Sequence, residues 1–249
     1  MNSVTKNAII IPAFNEKRSI SVVIAGIKKI CDADIIVIDD GSTDDTARFA
    51  QSAGARVLRH PFNLGYGAAL QTGYKYCAAR SYDLVLQMDG DDQHDPQFIP
   101  AFFKTVQSGR ADVVIGSRFL DPGRYRAGFA KLMAIRLFRL IIKIVSGKKI
   151  SDPTSGYQCL NKRVCKLFTH DSFPYDYPDA NIIVMLLRNG FCVTEIPVTM
   201  QSNPEGRSMH RGFYNISRYF YKVFLAIFIA LLRDRSFYQT NFNTEESSK

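Results

Sequence analysis

The chain has 249 residues, 46% apolar and 22% charged, with 16 Gly and 10 Pro, a profile that excludes collagen-like, low-complexity and largely disordered chains. Five cysteines (Cys31, Cys77, Cys159, Cys165, Cys192) are scattered with no C-x-x-C spacing, so a disulfide framework or structural zinc site is not expected and a reducing compartment is. The net charge of +9 divides unevenly: residues 1–117 hold 12 Lys/Arg and 13 Asp/Glu (−1), whereas residues 118–249 hold 20 and 10 (+10), so the second half suits an anionic partner.

Short apolar runs predict strands at Ala8–Pro12, Asp34–Asp39, Ala55–Leu58, Asp83–Met88 and Ala111–Gly116, with helical patterns between them near 18–30, 44–53, 65–79 and 97–107. Strand–helix alternation of this kind predicts an α/β fold with an open, mostly parallel sheet, whose ligands bind at the carboxyl ends of the strands. After Arg118 the pattern changes. Residues 131–145 read as an amphipathic helix with Arg136, Arg139 and Lys143 on one face, and 213–232 as a second helix ending in the apolar run VFLAIFIALL. A polar tail follows from Phe237. Residues 1–212 are expected to form one domain that includes helix 131–145, with an apolar or interfacial helix at 213–236 and the tail at 237–249. No run reaches the roughly 18 apolar residues of a membrane span. The N-terminal run Ala8–Ile11 is cut by Pro12, unlike a secretory leader.

The polar segments that follow the strands hold the candidate chemistry. The first strand runs into Pro12-Ala13-Phe14-Asn15-Glu16, and the second ends in Asp39-Asp40-Gly41-Ser42-Thr43. Acids at such positions accept hydrogen bonds from a base or ribose; they also serve as turn residues and helix caps. Asn63-Leu64-Gly65-Tyr66-Gly67 precedes a helix and reads first as its entry; its backbone N–H groups could also face a phosphate, although it lacks the Gly-Lys-Ser/Thr ending of a P-loop. The fourth strand ends in Met88-Asp89-Gly90-Asp91-Asp92-Gln93-His94-Asp95. Acids packed so closely repel unless a cation sits among them. Asp89 and Asp91, separated by a glycine that permits a tight turn, suit magnesium or manganese shared with substrate phosphates.

The ordered set IPAFNE (11–16), VIDDGSTDDT (37–46), NLGYGAAL (63–70), MDGDDQHDP (88–96), VIGSRF (114–119), DPTSGYQCLN (152–161) and EIPV (195–198) resembles the family 2 glycosyltransferases. Within them it is most similar to the polyprenyl-phosphate sugar synthases, the dolichyl-phosphate mannose synthase branch. The resemblance implies a GT-A (Rossmann-like) fold and inverting transfer of a sugar from a nucleotide-sugar donor, of the GDP-mannose or UDP-glucose type. It implies that Pro12, Phe14, Glu16, one or both of Asp39 and Asp40, Asp89 and Gly90 hold the nucleotide sugar. Asp89, Asp91 and Gln93 would hold Mg2+ or Mn2+, with Asp91 counted as catalytic. Arg118 would face the acceptor phosphate, helped by Lys131, Arg136 and Arg207. The chain departs from the pattern at Asn181, which stands at the usual glutamate and leaves Asp179 as the nearest acid. It departs again at Asn203, where an arginine is usual.

A phosphate-monoester acceptor is already mostly anionic at neutral pH and needs positioning by arginines. A hydroxyl of a glycan or lipid-linked saccharide needs a carboxylate base, for which Asp179 is the candidate. The basic, apolar-faced helices fit a lipid-phosphate acceptor and a peripheral place on the cytoplasmic face of a membrane. For 213–232 a place in the core fits the pattern equally well. No nucleic-acid-binding motif is present, so no nucleic-acid partner is expected.

Overall fold

The computed structural model describes residues 5–121, 129–171, 173–174 and 178–200 together with Leu225; of residues 129–131 it describes the backbone alone. The strands are β1 (Asn7–Ala13), β2 (Asp34–Asp39), β3 (Arg56–Arg59), β4 (Leu84–Gln87), β5 (Val113–Ser117), β6 (Gln158–Asn161) and β7 (Val193–Pro197). The helices are α1 (Ile20–Ile30), α2 (Thr46–Ser52), α3 (Tyr66–Ala79), α4 (Ile99–Gln107), α5 (Phe129–Ser146), α6 (Lys162–Leu167) and α7 (Ala180–Arg188), with a 3-10 turn at Pro96–Phe98. One seven-stranded sheet runs in the order β3-β2-β1-β4-β6-β5-β7, and only β6 is antiparallel to its neighbours.

The central strands are apolar at successive positions because both faces of the sheet are covered. Along β1, Ala8 and Ile10 join the core beneath α3, α5, α6 and α7. Ile9 and Ile11 point the other way, into the core with α1 and α4. In β2, Ile36 and Ile38 alternate with Ile35 and Val37 in the same manner. Helices α1 and α4 carry their buried residues at three- and four-residue spacing, Ile20-Val23-Ile24-Ile27 and Ile99-Phe102-Phe103-Val106. β2 and β3 lie to one side of β1 and β4 to the other, so the strand order switches direction between β1 and β4. Crevices of this kind at strand carboxyl ends bind ligands. Here the crevice is framed by Pro12–Glu16 and Met88–Gln93.

The first five strands and five helices agree with the sequence reading to within about two residues. The short strands β6 and β7 fall within the motifs DPTSGYQCLN and EIPV, whereas helices α6 and α7 were not anticipated. α5 is more than a two-faced helix. Ala134, Ile135, Phe138 and Ile142 enter the core, while Met133, Leu137, Leu140 and Ile144 form an exposed apolar stripe beside exposed Arg136 and Lys143. Arg139, at the edge of the same face, is tied down: its Nε donates to the Ser151 carbonyl at 2.6 Å and its guanidinium lies 4.6 Å from the Phe119 ring centroid. Helix 213–232 lies outside the described residues except for Leu225, which is helical and exposed.

Candidate active site

Three loops are stitched together at the carboxyl ends of β1, β2 and β3. Asn15, at φ 57°, donates its N–H to Ser42 Oγ (2.9 Å) and accepts from the Thr43 N–H (2.9 Å), while the Glu16 N–H reaches Thr46 Oγ1 (2.8 Å). A non-glycine residue in that conformation is held only where its surroundings fix it. Gly41, at φ 72°, lies so close to the third loop that a Cβ would stand 2.4 Å from the Phe62 carbonyl carbon. Phe14 is left exposed above this platform and offers an aromatic face, whereas Pro12 is buried in β1 and shapes only the backbone.

The two aspartates that end this stretch have separate roles. Asp39 is fully buried; its Oδ1 accepts from the Ser42 N–H (3.1 Å) and its Oδ2 lies 3.0 Å from Arg59 Nε. Arg59, His60 and Pro61 face Gly41–Thr43 across an open cleft beside it. Asp40 is spent on the fold: its carboxylate takes His60 Nδ1 (2.7 Å) and the N–H groups of Leu64 (2.9 Å) and Gly65 (2.9 Å). Of the pair named from sequence, Asp39 is the one beside the cleft, while Asp40 binds the Leu64 and Gly65 N–H groups and so holds the entry of α3, the role the segment's place before a helix suggested.

After β4 the chain turns through Asp89, Gly90 and Asp91. Gly90 is buried, but a Cβ there would meet only ordinary contacts at 3.5–3.6 Å, and the left-handed residue of the turn is Asp92, at φ 64°. The glycine is therefore not what bends the loop. Asp89 Oδ1 accepts from Tyr66 Oη (2.9 Å), and its backbone N–H donates to His94 Nδ1 (3.0 Å). Asp91 accepts from the Gln93 backbone N–H (3.1 Å) and its other oxygen meets the Gln93 side-chain amide. His94 is buried and stacks on Tyr157 at 4.7 Å; burial holds its pKa down to about 4, so at neutral pH it is an uncharged acceptor.

Burial raises the carboxyl pKa of Asp89, Asp91 and Glu16. Asp89 also raises Asp91, and both raise Glu16, so these groups feel one another's charge. Carboxylates held together at that cost suit a cation, and the all-oxygen donor set of Asp89, Asp91 and the Gln93 amide fits magnesium or manganese. Among the described residues no three His, Cys, Asp or Glu side chains converge as a cage. Two carboxylates and an amide match a cation that takes its other ligands from water and a bound diphosphate.

Arg118, only 7% exposed, departs from the open clamp the sequence suggests. Its Nε and Nη2 hold Asp152 bidentately at 2.6 and 2.7 Å, and Nη2 also reaches Thr154 Oγ1 (2.9 Å). Glu195 in turn takes the N–H groups of Ser151 (2.7 Å) and Asp152 (2.8 Å) and the Ser151 hydroxyl (2.8 Å), which docks the DPTSG loop against β5 and β7. The Arg118 charge is nevertheless felt at Asp89, whose pKa it lowers against the effect of burial. Of the other basic residues named from sequence, Arg136 is exposed on α5, the Lys131 side chain is outside the described set, and Arg207 lies outside the described residues. Asp179 precedes α7 and is close enough to Tyr66 to raise its phenol pKa, after burial and Asp89. Sequence reasoning missed Tyr66, Gln87, Asp152 and Glu195 as parts of the site. The only signal was their place inside the motifs, or, for Gln87, a polar residue within a buried strand.

The family model described as "Glycosyl transferase family 2" matches residues 8–168. A polyprenol monophosphomannose synthase of Mycolicibacterium smegmatis is 28% identical over 88% of this chain and 85% of its own. An undecaprenyl-phosphate mannosyltransferase of Micrococcus luteus is 28% identical over 82% of this chain and 86% of its own. Among solved structures, glucosyl-3-phosphoglycerate synthase from Mycobacterium tuberculosis, in complex with Mn2+, UDP and phosphoglyceric acid, superposes with a TM-score of 0.69 at 21% identity. That match covers 92% of this chain and 80% of that one, and shows the shared fold. The ordered motifs, the crevice they frame and a family match over well over half of its length together establish that the chain belongs to glycosyl transferase family 2.

Proposed function

We propose that the protein transfers a hexosyl unit from a nucleoside diphosphate sugar to a polyprenyl phosphate at a membrane surface. The observation that carries the acceptor is the outward face of α5, where Met133, Leu137, Leu140 and Ile144 lie exposed in a stripe beside Arg136 and Lys143. An apolar stripe with flanking cations fits a bilayer interface and an anionic lipid head. Among the described residues no helix is long and apolar enough to cross a membrane. The names of the Mycolicibacterium and Micrococcus relatives support the same acceptor class.

In this reading the base and ribose lie on the Phe14, Glu16 and Asp39 side of the crevice and the diphosphate lies toward Asp89 and Asp91. A divalent cation held by Asp89, Asp91 and Gln93 would offset the negative charge that grows on the leaving diphosphate. The acceptor phosphate oxygen attacks the anomeric carbon as the bond to the diphosphate breaks. A monoester with a second pKa of about 6 needs no strong base for that step. Arg118 supplies a buried positive charge and fixes the DPTSG loop, and Arg136 and Lys131 stand on the helix that faces the lipid. A panel of GDP- and UDP-sugars with polyprenyl phosphate, followed by mass analysis of the lipid product, tests the reading. A glycosyl phosphate lipid is expected, and its absence with every donor would overturn the proposal.

A second reading, transfer to a hydroxyl, is favoured by two observations. Arg118 holds Asp152 and Thr154 rather than standing open, and Asp179 sits near Tyr66 beside Asp89. In that case Asp179 is the general base, and Asp179→Asn should cost about 100- to 10,000-fold in turnover. With polyprenyl phosphate as acceptor the same variant should be much milder.

A further inference from the structure

A line of hydrogen bonds runs from the core to the candidate metal site. Tyr74 Oη donates to Gln87 Oε1 at 2.6 Å, Gln87 Nε2 donates to Tyr66 Oη at 3.0 Å, and Tyr66 Oη donates to Asp89 Oδ1 at 2.9 Å. Each proton points the same way. The Asp89 carboxylate can only accept, so the single Tyr66 hydroxyl proton goes to it; Tyr66 must then accept from the Gln87 NH2, which leaves the Gln87 carbonyl to accept from Tyr74. Bonds aligned in sequence polarise one another, so the donor that reaches Asp89 is stronger than a lone phenol. The origin of the line is rigid. Tyr74 is 1% exposed, packs edge-on against Phe168 and Phe173, and spans α3 to β4 through Gln87, which is 4% exposed. At the other end a Cβ on Gly156 would come within 3.0 Å of Tyr66 Oη and 3.4 Å of Asp89 Oδ2, so the DPTSG loop closes tightly over the pair.

We propose that Tyr66 is the positioning residue of the metal site: its hydroxyl, backed by Gln87 and Tyr74, fixes the Asp89 carboxylate so that Oδ2 is presented to the cation. This rests on the reading of Asp89 and Asp91 as the cation-holding pair. Groups that orient a metal ligand from behind typically change metal affinity by about 10- to 100-fold when removed. A Tyr66 that served only to satisfy buried Gln87 would instead affect stability and leave metal binding alone.

The test is Mn2+ binding to the purified full-length chain, followed by electron paramagnetic resonance with Mn2+ alone and with GDP or UDP added. Melting temperature is recorded in chelator alongside. Tyr66→Phe should weaken Mn2+ binding roughly tenfold. Tyr74→Phe, two links back, should weaken it in the same direction but by less, and decides the matter if Tyr66→Phe does not fold. Unchanged Mn2+ affinity in the folded variants, with only the melting temperature lowered, overturns the positioning role. Asp91→Asn separates the two levels. If wild type binds no Mn2+, or binds it as well as Asp91→Asn does, then the cation site itself is wrong. If Asp91→Asn loses Mn2+ and Tyr66→Phe keeps it, only the present inference fails.

Discussion

Replacing Arg118 should cost this protein a large part of its stability, apart from any effect on catalysis. Its guanidinium makes two bonds of 2.6 and 2.7 Å to Asp152, which is fully buried, and a third to Thr154. Arg118→Met removes those donors and leaves Asp152 as a buried charge held, among the described residues, by the position-118 backbone N–H (3.1 Å) and the Thr154 hydroxyl (3.3 Å). Breaking a buried pair from one side costs about 3–5 kcal/mol. Against a typical total of about 5–15 kcal/mol, that is a large share. At about 2–4 °C per kcal/mol for a chain of this size, the melting temperature should fall by roughly 6–20 °C. Urea denaturation of Arg118→Met, Asp152→Leu and the double variant measures the coupling. The double variant should recover part of the loss, because no buried charge is left alone. Single variants that each cost less than about 1 kcal/mol and simply add would refute the reasoning. Arg118 would then be returned to the role of an acceptor clamp.

Other outcomes follow from the same geometry. Asp91→Asn should abolish most turnover while leaving the far-UV circular dichroism unchanged, and excess chelator should do the same to the wild type reversibly; assays with and without added Mn2+ check both. The raised carboxyl pKa values of Glu16, Asp89 and Asp91 set the sign of a pH effect. A carboxyl raised on folding contributes its full share below the unfolded pKa of about 4 and loses it as pH rises through the folded value. The metal-free protein therefore carries its repulsion at neutral pH, and Mn2+ should raise the melting temperature more at pH 7.5 than at pH 5. Flotation with anionic vesicles should recover the protein at low salt, and high salt should release part of it. Leu137→Glu with Leu140→Glu on the α5 stripe should prevent flotation without lowering the melting temperature.

The sheet was legible because buried parallel strands write themselves as unbroken apolar runs such as AIII and IIVI, and α1 and α4 because their apolar spacing is helical. β6 was not, since four residues beginning with Gln158 and holding a buried cysteine carry no alternation. α7 was not, because ANIIVMLL is a short, almost wholly apolar run of a kind that reads as buried strand or helix alike. At the site, sequence order brought the right loops to one crevice but could not assign partners. Adjacent Asp39 and Asp40 look alike as letters, yet one faces the Ser42 turn and Arg59 while the other is consumed by His60, Leu64 and Gly65. Arg118 read as a clamp because its partner Asp152 lies 34 positions away, a pairing only the β5–β6 geometry creates. Tyr66 was hidden for the same reason: its hydroxyl meets Asp89 across 23 positions.

The central claim, sugar transfer to a lipid phosphate, is tested most directly by comparing acceptors under one donor and saturating Mn2+. Polyprenyl phosphate, the matching polyprenol without its phosphate, and 3-phosphoglycerate should be assayed side by side for kcat/KM. The account predicts efficient transfer to polyprenyl phosphate and little to either hydroxyl acceptor. Comparable or better transfer to the polyprenol or to phosphoglycerate would contradict it, and would make Asp179 rather than the acceptor's own charge the source of the nucleophile.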